Sequence, residues 1–93
     1  MPDSRPLVLI VEDSQSLAEI YSYTLRNEQA RVVQAATLSA ARSIIAADPP
    51  AVVLLDLRLP DGDGADLLKE IKRADPDAAV IVITAHGSIN GAV

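Results

Sequence analysis

Three runs of four or five wholly apolar residues constrain this 93-residue chain more than any other feature: Leu7-Val8-Leu9-Ile10-Val11, Val52-Val53-Leu54-Leu55 and Val80-Ile81-Val82-Ile83. An unbroken apolar run is what a strand shows when both of its faces are covered, as in a parallel sheet packed between helices. The stretches between these runs have apolar residues at spacings of three and four. Leu17, Ile20, Tyr21 and Leu25 mark one helix. Leu38, Ala41, Ile44 and Ile45 mark a second, stopped by Asp48-Pro49-Pro50. Leu67, Leu68 and Ile71 mark a third, with Lys69, Lys72 and Arg73 facing outward and Asp75-Pro76 ending it. Arg31-Val32-Val33-Gln34-Ala35 reads as a further strand between the first two helices. The first helix has two candidate caps, Ser14, or Ser16 in the capping-box sequence Ser16-Leu17-Ala18-Glu19. Pro60-Asp61-Gly62-Asp63-Gly64 has turn chemistry, and residues 89–93 could begin a fourth helix after the loop Ala85-His86-Gly87-Ser88.

The order is therefore β-α-β-α-β-α-β plus a helix stub. Short connections and right-handed crossovers make this an α/β fold, a parallel sheet with helices on both faces. Residues 1–93 hold one domain, with no linker, repeat or low-complexity tract. A net charge of −5 argues against nucleic-acid contact through this segment, because phosphates need a basic face. Without cysteine there are no disulfides or zinc–thiolate sites. No apolar run approaches a membrane span, and Met1-Pro2-Asp3-Ser4-Arg5-Pro6 is too polar for a signal peptide, so a cytoplasmic location is expected.

In open parallel sheets the functional groups gather at the carboxyl ends of the strands. Three of the expected strands end there in oxygen-bearing side chains: the first in Glu12-Asp13, the third in Asp56 and the fourth in Thr84. Carboxylates clustered without basic neighbours repel one another unless a cation sits among them, and hard oxygen ligands suit Mg²⁺. A carboxylate beside Mg²⁺ can act as a nucleophile toward phosphorus, with the metal neutralising charge on the transferring group. The Thr84 hydroxyl and the N–H groups of the loop after it could then donate to phosphoryl oxygens.

Three separated motifs, Val11-Glu12-Asp13-Ser14, Leu55-Asp56-Leu57-Arg58-Leu59-Pro60-Asp61-Gly62-Asp63-Gly64 and Ile83-Thr84-Ala85-His86-Gly87-Ser88, together resemble the receiver domain of bacterial two-component response regulators. The last two most resemble receivers of the nitrogen-regulation type, which often precede an ATPase and a DNA-binding domain in a transcriptional regulator. The resemblance runs in register from about Leu7 to Val93. It implies a flavodoxin-like (CheY-like) sheet of order 2-1-3-4 and a signalling module rather than an enzyme. Asp56 would accept a phosphoryl group from a sensor histidine kinase or phosphotransfer protein. Asp13 would bind Mg²⁺ directly, Glu12 directly or through water, and the Arg58 backbone carbonyl would add a ligand. Thr84 would be the switch hydroxyl, and Pro60 and Gly64 would shape the loop over the site.

A complete receiver of this family continues with the rest of the fourth helix, a fifth strand carrying a lysine and a fifth helix. None of these is among the 93 residues, so the sequence reads as a truncated regulator with impaired phosphotransfer. The apolar fourth strand would then be a sheet edge, open to dimerisation or swapping through that strand or the fourth helix.

Other readings of the same residues are weaker. An aspartyl-phosphate phosphatase needs a second acid two residues after its nucleophile, where Arg58 stands. A nucleotide-binding protein needs a glycine-rich loop after the first strand, where Glu12-Asp13-Ser14-Gln15 stands. The acid-rich stretch at residues 61–66 lacks the spacing of a calcium loop and reads as a turn plus helix cap. His86 reads as a solvated loop residue. A module that only pairs with a kinase or a full-length regulator would keep binding after Asp56→Ala.

Overall fold

β1 (Leu7–Val11) runs through the interior of a four-stranded parallel sheet. On one side it pairs with β2 (Arg31–Ala35), on the other with β3 (Val52–Asp56). The structure, a computed structural model, describes residues 4–27 and 29–83. Within them the chain continues through α1 (Gln15–Leu25), α2 (Leu38–Ala47), β4 (Arg58–Leu59), β5 (Gly62–Asp63), α3 (Gly64–Ala74) and β6 (Ala79–Ile83). The sheet order is β2-β1-β3-β6, with β4 and β5 forming a separate antiparallel hairpin. That is the expected order 2-1-3-4 once the hairpin is set aside. The expected fourth helix at residues 89–93 lies outside the described residues.

Alternation along the strands divides the core in two. Leu9 and Val11 of β1, with Val53 and Leu55 of β3, join Leu38 and Ala41 of α2 and Leu67 and Ile71 of α3. Ile10 and Leu54, pointing the other way, pack with Ala18 of α1, flanked by Tyr21 and Leu25. Successive side chains of one strand thus serve opposite layers, which is why β1 and β3 are apolar throughout. Each buried Leu, Ile or Val removed from water stabilises the fold by about 1.5–3 kcal/mol. β2 lies at an edge, and Val33 and Gln34 are exposed. β6 pairs with β3 alone among the described residues, and Ile81 and Val82 are 52% and 45% exposed.

Two local details differ from the sequence reading. Ile20, counted into the inward stripe of the first helix, is 59% exposed, because only the Ala18–Tyr21–Leu25 side of α1 meets the sheet. The expected turn at residues 60–64 is narrower: Pro60-Asp61 alone turns the hairpin, while Gly62 and Asp63 pair with Leu59 and Arg58. Gly62 has φ 150°, a conformation that glycine supplies without strain. Asp63 caps α3, its Oδ1 accepting from the Ala65 N–H at 2.8 Å.

Candidate metal centre

Parallel pairing sets Val11 beside Leu55, so the next residues, Glu12 and Asp56, leave the sheet side by side. The Glu12 N–H still belongs to the ladder, donating to the Ala35 carbonyl at 3.0 Å. Ser14 then ends the strand-to-helix turn in two ways. Its N–H donates to Glu12 Oε1 at 3.0 Å, and its Oγ accepts from the Leu17 N–H at 3.4 Å. Ser14, not Ser16, is therefore the cap of α1. Asp56 closes β3, and its Oδ1 accepts from the Arg58 N–H at 3.0 Å.

These connections bring Glu12, Asp13 and Asp56 together, with one carboxylate oxygen of each within 4.8 Å of the others. Glu12 and Asp56 are 2% and 1% exposed, whereas Asp13 stands at the surface. Two full charges at that separation repel by about 3 kcal/mol at an effective dielectric constant near 20. Burial pushes the Glu12 carboxyl above its ordinary value of 4.5; the Ser14 N–H opposes this, and the Asp56 charge adds to it. Glu12 Oε2 is buried and has no hydrogen-bond partner among the described residues. An orphaned buried oxygen facing two other acids is the donor arrangement that a hard cation satisfies. Next to the cluster, a cleft of about 260 Å³ between the ends of β1 and β2 is lined by Asp13, Gln15, Gln34 and Ala35. That cleft is large enough for several water molecules beside the acids.

The β4–β5 hairpin leaves this site directly. Gly64 is buried beneath it, donating its N–H to the Leu57 carbonyl at 2.8 Å. A Cβ on Gly64 would lie 2.3 Å from the Asp56 carbonyl oxygen, so the start of α3 can approach the phosphoacceptor candidate only without a side chain. Arg58, the proposed carbonyl ligand, sits at the base of the hairpin with its side chain exposed. Thr84 and the Ala85-His86-Gly87-Ser88 loop lie outside the described residues; Ile83, just before Thr84, is the register partner of Asp56. Asp61 was not singled out by the sequence, yet its carboxylate accepts from the Leu38 and Ser39 N–H groups at the start of α2. No local spacing rule reveals a cap supplied from more than twenty residues away.

Residues 8–93 match the family model of the response regulator receiver domain. The chain belongs to that family. The receiver is 37% identical over 90 residues to the response regulator protein PilR of Pseudomonas aeruginosa, an alignment covering 97% of this chain and 20% of PilR. It thus spans a small part of that relative's length. The non-phosphorylated HemR receiver domain of Leptospira biflexa superimposes with a TM-score of 0.80 at 34% identity, covering 95% of the receiver and 71% of HemR. A Burkholderia pseudomallei response regulator with a phosphorylated aspartic acid, a calcium ion and citrate gives a TM-score of 0.79 at 25% identity, covering 91% and 50%. The sheet order and helix placement are those of the flavodoxin-like, CheY-like fold. Among the described residues no helix is long and apolar enough to cross a membrane.

Proposed function

We propose that residues 1–93 form a receiver module that accepts a phosphoryl group on Asp56 from the phosphohistidine of a sensor kinase or phosphotransfer protein. Glu12, Asp13, Asp56 and the Arg58 backbone carbonyl would hold Mg²⁺, with Glu12 binding directly or through water. The observation that carries this reading is the convergence of three carboxylates within 4.8 Å at neighbouring strand ends, two of them buried. The bound metal would supply charge neutralisation for the transferring group. Support for an aspartyl phosphate here also comes from the phosphorylated aspartic acid of the Burkholderia relative.

The chain's own residues orient the acceptor. The Arg58 N–H on Oδ1 fixes the plane of the Asp56 carboxylate, and the β3 ladder fixes its height above the sheet. In transfer, an Asp56 oxygen bonds to phosphorus as the donor's P–N bond breaks. The electron pair leaves with the imidazole, which then takes a proton from solvent. Position 58, two residues on, carries an exposed arginine and no acid, so nothing there serves a phosphatase-type general base. We assign the switch hydroxyl to Thr84, which would follow the new charge and carry its loop with it. The nitrogen-regulation subgroup, a transcriptional output outside this segment and a cytoplasmic location belong to the same reading, as does the absence of nucleic-acid or membrane contact by this segment. A homodimer or swapped oligomer through β6, whose Ile81 and Val82 are exposed among the described residues, belongs to the same reading, and a concentration-dependent sedimentation coefficient would reveal it.

The experiment is incubation with a small acyl phosphodonor and Mg²⁺, read by intact mass and by hydroxylamine sensitivity. An acyl phosphate that forms on the parent, fails on Asp56→Asn and needs Mg²⁺ is the expected result. Phosphorylation persisting in Asp56→Asn overturns the assignment.

A further inference from the structure

The hairpin that carries Arg58 has few bonds of its own. Its ladder has two rungs, Arg58↔Asp63 and Leu59↔Gly62, and a two-stranded hairpin by itself is marginal in water. Asp61, in the turn, holds it from outside. Asp61 Oδ1 accepts from the Leu38 N–H at 2.8 Å and Oδ2 from the Ser39 N–H at 3.1 Å, so one carboxylate bridges to two consecutive amides of another element. Those amides are the first two of α2, which no intrahelical carbonyl can satisfy. The third, of Ala40, donates to Thr37 Oγ1 at 3.1 Å. The cap of α2 is therefore built in two parts, one local and one lent by the hairpin beside the acid cluster. A negative charge at a helix N-terminus is favourable, and these two N–H groups hold the Asp61 carboxyl below its ordinary 3.8.

Packing doubles the connection. The buried Leu38 side chain lies against Gly62, where a Cβ would come within 2.9 Å of Leu38 Cδ1. Leu59, on the facing strand, packs against the same core cluster. Arg58 is thus held on one side by its own N–H to Asp56 and on the other through the rungs that Asp61 secures.

We propose that Asp61 is a positioning residue for the metal centre, clasping the hairpin to α2 and so fixing the Arg58 backbone carbonyl where a cation can use it. This rests on the metal site proposed above. It makes α2 and the metal centre one coupled unit, and coupling of this kind is reciprocal. A bound cation should then slow hydrogen exchange at the Leu38 and Ser39 amides, although neither touches the metal.

The test is a Mg²⁺ titration of the 93-residue chain followed by amide NMR, on the parent, Asp61→Ala, Asp61→Asn and Thr37→Val. Thr37→Val removes the local part of the same cap and leaves the hairpin untouched, so it controls for loss of helix stability. Asp61→Ala is expected to weaken Mg²⁺ binding about tenfold, as loss of an outer-sphere partner does, and Thr37→Val to stay within about twofold of the parent. Asp61→Asn keeps one acceptor oxygen and should fall between them. It also decides the matter if Asp61→Ala fails to fold. Equal losses in Asp61→Asn and Asp61→Ala would assign the effect to charge alone and overturn the clasp. So would a loss in Thr37→Val matching that of Asp61→Ala, or an Asp61→Ala protein that binds like the parent. A parent that ignores Mg²⁺ sinks the metal site itself and this inference with it, an outcome distinct from the others.

Discussion

Replacing Gly64 by alanine tests whether the end of β3 and the start of α3 are as tightly joined as their geometry implies. The added Cβ would meet the Asp56 carbonyl oxygen at 2.3 Å, the Leu57 Cα at 2.9 Å and the Asp56 carbonyl carbon at 3.2 Å. All three are backbone atoms, so no side chain can rotate away. Restoring ordinary van der Waals separation from the oxygen requires a shift of roughly 1 Å between α3 and the chain leaving β3. Overpacking of this kind costs about 1–3 kcal/mol, and alanine's better helix propensity returns at most about 1 kcal/mol. A net loss of about 1–2 kcal/mol lowers the melting temperature of a domain this size by on the order of 10 °C. The displaced atoms belong to Asp56 and its neighbour, and misplacement of about 1 Å at a reacting group can cost a hundredfold in rate.

The assay is thermal unfolding by far-UV circular dichroism with and without Mg²⁺, followed by Mg²⁺ titration and phosphorylation at a temperature where G64A remains folded. Lower stability together with weaker metal binding is expected. A G64A protein that melts at or above the parent temperature refutes the steric reasoning. One that is destabilised but binds Mg²⁺ and is phosphorylated like the parent separates the close approach from the site.

Without divalent cations, Glu12 sets a pH trend that can be signed. Its carboxyl titrates above 4.5 in the folded state, so the folded chain holds a proton that the unfolded chain has released. Stability from this group should therefore fall as pH rises from 4.5 through the folded value, and saturating Mg²⁺ should flatten the trend; urea melts across that interval, with and without Mg²⁺, measure it. Asp56→Asn removes one charge from the cluster at nearly constant shape, and is expected to stabilise the metal-free protein by about 1–3 kcal/mol while weakening Mg²⁺ binding. An Asp56→Asn protein less stable than the parent in a chelator would contradict that. Leu67→Ala opens a cavity at a 1% exposed position where α3 packs against the strands, at a cost of about 3 kcal/mol by denaturant melt.

The sequence made some elements legible and hid others for physical reasons. β1 and β3 were plain because interior strands of a parallel sheet must be apolar on both faces. Their ends marked Glu12 and Asp56 directly, since a carboxylate that follows such a run stands where strands stop and loops gather. Ser14 and Ser16 both satisfy capping rules in the sequence. The structure separates them: Ser14 Oγ accepts from the Leu17 N–H, while Ser16 lies inside α1. Ile20 was misread because a stripe of spacing three and four is wider than the strip of α1 that meets the sheet. The hairpin was too short for alternation to register, with two residues in each strand. The cap from Asp61 to α2 depends on how β3 and α2 come to lie together, and that is information no window along the chain contains.

The acid cluster also places a demand on the elements that carry it. Ionised acids within 4.8 Å repel one another, so the two buried ones must be held by contacts from outside the cluster. Glu12 is fixed by its ladder bond to Ala35 and by the Ser14 N–H, and Asp56 by β3 and the Arg58 N–H. Were these supports soft, the carboxylates would relax apart and the buried Oε2 of Glu12 would find water. The interior strands on which the cluster stands carry Leu9, Val11, Val53 and Leu55, all fully buried in the larger core, and that packing holds the acids in place. A cation that relieves the repulsion then stabilises the folded state by mass action, about 2.7 kcal/mol at a hundred times its dissociation constant. The buried core and the acid cluster stand on the same two strands, so a cation bound at their tips would add its binding free energy to the stability of the layers packed on either face.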